Sequence, residues 1–476
     1  MKTIRHNYIG GEFTPIHGGE IMPLINPSNG AVIGQVTLGD EIDARAAIAA
    51  AKAAYPAFSQ TSREQRMHYL QRLHDAVAAR REELIETMIE EYGGPVAFSR
   101  AAVQRAIDYF QLTRNLLERF EFVRQAGAAR VVMEPLGVVG LITPWNANYS
   151  FICGKLANVL AVGSTAVIKP SELSALQTQL LLECLHAAEL PPGVFNVVNG
   201  RGDVVGAEIV RHPDVAKISF TGSSAVGKWI AREAAATMKR VTLELGGKSP
   251  TVLLDDADFA SAIPLAVHAL TINSGQACIA GSRLLVPAAR LDEAKELLRK
   301  AVAELKVGDP RAEDTAIGPL VTQRQYERVQ HYIRLGIEAG AELVAGGEGH
   351  PQGLERGYFV KPTVFANVSN DMAIAREEIF GPVLSVIAYN GDDEAIAIAN
   401  DTDYGLQAYV CSSDSERAAR VAARIVAGRV FINGLYDEPA APFGGFKQSG
   451  IGREFGTYGL EEYVEPKAIM GYGPAA

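Results

Sequence analysis

From about residue 131 onward, short β-branched or apolar runs alternate with segments of helical period, and this rhythm constrains the fold more than any other feature of the chain. The runs GVVGLITPWN, STAVIKP, VFNVVNG, AKISFTG and RVTLELGG are separated by stretches such as SALQTQLLLECLHAAEL and AVGKWIAREAAATM. Strand, helix, strand at this spacing reads as an open parallel α/β sheet covered on both faces. The rhythm restarts after ELGGKSPTVLLDDADF with a helix, the strand SRLLVPAA, the helix LDEAKELLRKAVAEL and further units through GRVFINGLY. Two α/β units in succession are the simplest reading. The first third reads as largely helical, with apolar residues at three-to-four spacing in DEIDARAAIAAAKAAYPAF and in SREQRMHYLQRLHDAVAARREELIETMIEEYGG. The tail YGLEEYVEPKAIMGYG reads as an extended segment of the kind that joins another chain's sheet edge.

A chain of 476 residues exceeds one ordinary core, so two or three domains are expected. A formal net charge of −10 without a dense Lys/Arg cluster argues against nucleic acid and anionic membranes as partners. MKTIRHNYIGGEFTP has no apolar stretch after its basic residues, and no apolar run approaches the roughly 18 residues of a membrane helix, so the expected location is the cytoplasm. Cys153, Cys184, Cys278 and Cys411 lie far apart with no CxxC pair and no Cys/His ligand spacing. Neither a disulfide framework nor a metal site is expected, and any special cysteine acts alone.

Two glycine loops invite a phosphate reading. Gly200, Gly202 and Gly206 form GxGxxxG, one residue longer than the dinucleotide fingerprint and not on the first strand. In ISFTGSSAVGKWI, Gly222 allows a tight turn and Ser223 and Ser224 can cap a helix whose free N–H groups could receive phosphate; an ordinary serine N-cap is the plainer reading.

Cys278 stands in NSGQACIAGSR, a polar, small-residue setting poor for packing and good for access, whereas the other three cysteines sit inside helical or strand runs and read as small buried hydrophobes. A nucleophilic thiolate needs donors nearby, an oxyanion partner and, for hydrolysis of a thioester, a general base. Asn146 in ITPWNANYS could donate to an oxyanion, and Glu244 in VTLELGGKSP ends an apolar strand, where desolvation would raise its pKa toward that of a useful base. Taken singly, Asn146 also reads as a turn former and Glu244 as the partner of a lysine.

Together these residues resemble the aldehyde dehydrogenase superfamily along essentially the whole chain. The matching stretches follow the family's order: PWN at 144–146, KPSE at 169–172, FTGS at 220–223, LELGGKSP at 243–250, GQAC at 275–278, EEIFGPV at 377–383 and PFGGFKQSGIGRE at 442–454. The resemblance implies a Rossmann-like NAD-binding domain over 1–118 and 136–246, a catalytic α/β domain over 247–446, and a small β oligomerisation element from 119–135 and 460–476. It implies Cys278 as nucleophile, Asn146 with the Cys278 N–H as oxyanion donors, and Glu244 as the base that hydrolyses the thioester. On the cofactor side it implies Lys169 and Glu172 at the adenosine ribose, Ser223 with Gly222 at the pyrophosphate, and Glu378 and Phe380, with Trp145, at the nicotinamide. A carboxylate at the ribose favours NAD over NADP. A homodimer or homotetramer is implied.

Two stretches depart from the family. PWNANYS lacks the usual proline after a bulky residue, which unsettles the wall of the substrate tunnel, including Tyr149 and Cys153. The loop FINGLYDEPAAPFGG carries Tyr436, Asp437 and Glu438 at the expected substrate entrance, from which a neutral or cationic aldehyde is expected. The competing readings are a CoA-acylating dehydrogenase, which commonly lacks the glutamate base, and a catalytically silent homologue serving as a binding or structural protein.

Overall fold

The computed structural model describes residues 2–436 and 438–471. Its first large sheet has eight strands, running from edge to edge as Gly450–Ile451, Arg240–Glu244, Val215–Thr221, Val138–Ile142, Thr165–Lys169, Phe195–Val197, His6–Ile9 and Glu12–Pro15. The five from Arg240–Glu244 to Phe195–Val197 are parallel. Among these five the chain enters at Val138–Ile142, builds two strands to one side and then two to the other, so strand order reverses beside the first strand. A crevice outside the carboxyl ends at such a reversal is the usual ligand position in open α/β sheets. Register aligns the ends: Ile142 pairs with Lys169 and with Phe220, and Thr221 pairs with Glu244. Residues 143–146, 169–172, 221–223 and 244 therefore leave the sheet along one edge.

The strands are continuous apolar runs because both faces are covered. Helices Arg63–Ala78, Arg81–Tyr92, Val96–Arg119 and Asn148–Val162 contribute to the apolar cluster on one side, and Glu41–Phe58 and Ser224–Ala234 to that on the other. Capping boxes start two of these helices, Asp40 with Asp43 and Ser62 with Gln65.

The second sheet runs Glu342–Ala345, Thr363–Ala366, Val383–Tyr389, Arg283–Pro287, Pro250–Leu253, Gln407–Cys411, Arg429–Ile432 and is parallel except for its first strand. A third, antiparallel sheet joins Val123–Ala126, Ala129–Pro135 and Val464–Ile469, so the tail strand pairs within its own chain, from Val464 opposite Pro135 to Ile469 opposite Arg130. Two open α/β sheets and a small β element are the fold class that the sequence leads one to expect.

The first third departs from its helical reading in two places. Residues 2–38 form five short strands; in Val32–Leu38 the period-two burial is clear, but runs of three to seven residues carry little signal against the long helices that follow. The stretch read as one helix ending at the paired glycines is two, broken where Arg80 leaves the helical region at φ −114° and ψ 24° and turns its guanidinium to Glu83 and Glu183.

Arg283, on a central strand of the second sheet, is fully buried and donates to the carbonyls of Lys248, Ile398 and Ala399 at 3.0, 2.8 and 2.8 Å and to Asn370 Oδ1 at 3.1 Å. Arg283→Ala would leave these acceptors unpaired beside a cavity. The expected loss is about 3 kcal/mol, read as an earlier urea midpoint; an unchanged midpoint would contradict it.

Candidate active site

Glu244 ends its strand and the chain continues through Leu245, Gly246 and Gly247. A Cβ on Gly246 would stand 2.4 Å from Glu378 Oε2, and one on Gly247 would stand 2.3 Å from the Cys278 carbonyl. The two glycines thus let two other segments close on this turn, and Glu378 seals one contact by accepting the Gly247 N–H at 3.0 Å. Gly275 has φ 76°, and a Cβ there would meet the Gly381 carbonyl carbon at 2.4 Å, so the loop before Cys278 also packs backbone to backbone.

That loop is strained. After helix Phe259–Thr271, Asn273 and Ser274 take left-handed backbone angles at φ 54° and 57°, which costs roughly 1–2 kcal/mol per residue and less for asparagine. Side chains offset the cost. Asn273 Nδ2 donates to the carbonyls of Asn146 and Gln276 at 2.8 and 3.1 Å, Ser274 Oγ accepts from Gly318 N at 3.0 Å, and Gln276 Oε1 accepts from Val321 N at 3.0 Å. Asn146 Nδ2 donates to the Gln276 carbonyl at 2.9 Å, which sets the amide beside the residues leading to Cys278.

Burial, followed by the charges of Glu378 and Glu244, raises the Cys278 thiol well above its ordinary pKa, so the resting group is a protonated thiol. Cys278 nevertheless keeps partial exposure, whereas Cys153, Cys184 and Cys411 are buried. Glu244 is 2% exposed and neither carboxylate oxygen has a hydrogen-bond partner. Burial first and the charge of Glu454 second push its pKa well up, against the opposing pull of Lys155 and Arg453. Glu378 is raised to about 7, chiefly by burial.

Lys155 and Glu454 are functional candidates that sequence reasoning missed. Lys155, buried in helix Asn148–Val162, donates to Glu454 and, at 2.9 Å, to Ser219 Oγ. The signal was present in FICGKLANVL, where one lysine interrupts an apolar helix.

A cavity of about 1050 Å³ has Cys278, Asn146, Thr221, Lys155 and Glu454 among its lining residues, with mainly apolar walls that include Phe98, Leu116, Phe151, Phe443 and Phe455. The wall from helix Asn148–Val162 is the face of Ser150, Phe151, Gly154, Lys155 and Asn158. Tyr149 and Cys153 do not form it. One residue of helical rotation turns both into the core, at 1% and 0% exposure, as the period of 3.6 dictates. Arg105, Arg119 and Arg429 are also lining residues. Tyr436 is exposed and packs edge-on to Phe431 with centroids 5.3 Å apart, outside the lining. Glu438 is exposed and accepts from the Ala440 N–H at 3.0 Å, a contact within its own turn. Asp437 lies outside the described residues.

The remaining candidates lie outside the cavity lining. Lys169 is buried at its strand end and donates to Glu172 Oε2 at 2.8 Å. Ser223 caps helix Ser224–Ala234, accepting from Val226 N at 3.4 Å, and the Gly222 N–H donates to the Glu244 carbonyl at 3.0 Å. Trp145 and Phe380 meet edge-on at 5.5 Å, with Phe380 at φ 63°. The GxGxxxG stretch becomes a π-helical turn, Gly202–Gly206, running into helix Ala207–Arg211.

Comparison with known proteins identifies the family. The sequence pattern of the aldehyde dehydrogenase family matches residues 13–469. The chain is 45% identical over 474 residues to a 3-succinoylsemialdehyde-pyridine dehydrogenase of a Pseudomonas species, covering 99% of each chain. It superposes with a TM-score of 0.97 and 46% identity on a cysteine-to-alanine variant of aldehyde dehydrogenase C from Pseudomonas syringae, solved with NAD+ and octanal, covering 99% of this chain and 98% of that one. Betaine aldehyde dehydrogenase from Staphylococcus aureus, solved with NAD+, matches at TM-score 0.95 and 35% identity over 99% and 95% of the two chains. The chain belongs to the aldehyde dehydrogenase family. Among the described residues, no helix is long and apolar enough to cross a membrane, and no group of three or more His, Cys, Asp or Glu could hold a metal ion.

The raised thiol pKa has a direct readout. Iodoacetamide is expected to modify Cys278 before the buried cysteines, slowly at pH 7 and faster as pH rises above 9, as followed by peptide mass spectrometry. A fast, pH-independent reaction near neutrality would contradict the protonated resting state.

Proposed function

We propose that the protein oxidises an aldehyde to the carboxylic acid with NAD as acceptor, through a thioester on Cys278 that water clears with Glu244 as general base. The observation that carries the proposal is the buried Glu244 carboxylate, unpaired on both oxygens, coupled by its charge to the Cys278 thiol that lines the cavity. A buried carboxylate without a partner is costly, and the raised pKa makes its ionised form a stronger base toward water.

The residues at the carboxyl edge suit a dinucleotide. Thr143 Oγ1 and Thr221 Oγ1 are buried there without a hydrogen-bond partner. Lys169 and Glu172 would hold the adenosine ribose, Ser223 and Gly222 the pyrophosphate, and Glu378, Phe380 and Trp145 the nicotinamide. The Glu172 carboxylate, steadied by Lys169, favours a ribose hydroxyl over a phosphate, hence NAD over NADP. When bound, NAD supplies the hydride acceptor.

The chain's own groups do the rest. Cys278 Sγ bonds to the aldehyde carbon as its thiol proton passes to solvent, and the carbonyl oxygen becomes an oxyanion received by Asn146 Nδ2 and the Cys278 N–H. After oxidation to the thioester, Glu244 takes a proton from water as the water oxygen bonds to the acyl carbon, and the Cys278 thiolate departs. Transfer to CoA would need no such base, so Glu244 supports hydrolysis.

For the substrate, the sequence left a neutral or cationic aldehyde open, and we narrow this to neutral and apolar. The mainly apolar walls support an apolar aldehyde, and the arginines among the lining, with Glu438 bonded within its own turn, count against a cationic one. The octanal in the Pseudomonas syringae structure is of this class. We further take residues 1–118 and 136–246 as the cofactor domain, 247–446 as the catalytic domain, and 119–135 with 460–476 as the oligomerisation element of a cytoplasmic homodimer or homotetramer.

Cys278→Ala is expected to abolish turnover while NAD still binds. Glu244→Gln is expected to keep a burst of NADH and lose steady-state rate by a factor on the order of 100 or more. Because Glu244 must be ionised to accept a proton, steady-state rate in the wild type falls as pH drops through its raised pKa, above the usual carboxylate value of about 4.3. Near wild-type turnover in either variant would overturn the assignment. Across a panel, kcat/KM is expected to be higher for a medium-chain or aryl-alkyl aldehyde than for an aminoaldehyde or succinic semialdehyde; the reverse order would end the apolar reading.

A further inference from the structure

Helix Arg81–Tyr92 ends at the catalytic loops although its residues lie about 180 positions earlier in the chain. Its last residue, Tyr92, is 1% exposed, and its hydroxyl is used in both directions: it donates to Asn273 Oδ1 at 2.8 Å and accepts from Gln276 Nε2 at 3.2 Å. Its ring packs against Trp145 with centroids 5.8 Å apart, the residue immediately before Asn146. One side chain therefore touches both arms of the site, the loop leading to Cys278 and the turn carrying the candidate oxyanion donor.

The helix end is itself tightly placed. Gly93 stops the helix at φ 79°, and a Cβ there would stand 2.5 Å from Pro319 Cγ, while one on Gly318 would stand 2.3 Å from the Gly93 carbonyl. The same 318–321 segment binds Ser274 and Gln276. The hydroxyl is thus anchored from its own side and from the side it holds. Without it, Asn273 Oδ1 loses its donor and Gln276 Nε2 its acceptor, while Asn273 and Ser274 remain in left-handed backbone.

Asn273 and Gln276 are also the residues that set Asn146. Asn273 donates to the Asn146 carbonyl, and Asn146 donates to the Gln276 carbonyl. We propose that Tyr92 is a positioning residue for aldehyde oxidation, fixing through Asn273 and Gln276 the relative placement of the Asn146 amide and the Cys278 loop. This rests on the function proposed above, and its effect is on the chemical step more than on binding. No part of Tyr92 lines the cavity, so a substrate contact does not explain its placement.

The test is Tyr92→Phe, which removes one oxygen and keeps the ring against Trp145. With NAD and an apolar aldehyde, kcat is expected to fall by about tenfold to a hundredfold with KM for both within about threefold of wild type. Against Asn146→Ala, the added Tyr92→Phe is expected to change kcat by less than about twofold, because a residue acting through Asn146 has nothing left to position. Gln276→Met cuts the same chain from the other end and is expected to reproduce the kcat loss, which decides the matter if Tyr92→Phe does not fold. Hydrogen exchange of residues 272–280 is expected to quicken in Tyr92→Phe, a readout independent of turnover. Wild-type kcat with unchanged exchange, or an equal loss in the presence and absence of Asn146, would overturn the inference. Quickened exchange in a protein whose wild type oxidises no aldehyde would leave Tyr92's placement of the loop intact and instead sink the proposed function.

Discussion

Two adjacent residues without side chains hold the site together. Gly246 and Gly247 follow one residue after the strand that ends in Glu244, and the missing Cβ atoms are the space into which Glu378 and the Cys278 backbone close. A methyl group at either position would meet these neighbours at distances that real Cβ atoms do not show. Because the first of the three segments belongs to the parallel sheet of residues 138–244 and the other two belong to the second α/β unit, the turn is also where the two large sheets are brought to a common point.

That closeness has an electrostatic consequence. Packing backbone against backbone excludes water, and a carboxylate left there with no donor is pushed toward its neutral form, as Glu244 is. The same exclusion raises the Cys278 thiol, and the two acidic neighbours raise it further. Both groups are thus shifted toward their uncharged forms, with the charge of Glu454 adding to the shift of Glu244 and those of Lys155 and Arg453 opposing it. Chemistry that forms a thiolate or an oxyanion there depends on donors already in place, which is why the left-handed loop at Asn273 and Ser274 and its side-chain bonds bear on reactivity as well as on shape.

Much of this was legible in the sequence. Continuous apolar runs with helical spacers reveal parallel sheets, and Cys278 in a polar, small-residue stretch stands apart from three cysteines in apolar ones. Spacing alone could not say which face of Asn148–Val162 meets the cavity, because most residues of that helix are small or apolar; Tyr149 and Cys153 turned into the core while Phe151 and Lys155 line the cavity. Nor could it reveal Lys155–Glu454 or Tyr92, whose partners lie 299 and 181 residues away and whose importance comes only from the packing. The acidic entrance loop shows the same limit: a run of charges says nothing about which local N–H groups will claim them, as Ala440 claims Glu438.

The pairing of an attacking thiol with a separate hydrolytic base is tested most directly by intact and peptide mass spectrometry of Glu244→Gln protein quenched after one turnover with NAD and a medium-chain aldehyde. The expected result is a single acyl group on the peptide containing Cys278, formed together with one equivalent of NADH and persisting because its hydrolysis is slow. NADH formed with Cys278 unmodified, or an acyl group on any other residue, would contradict the covalent role given to Cys278 and the division of labour with Glu244.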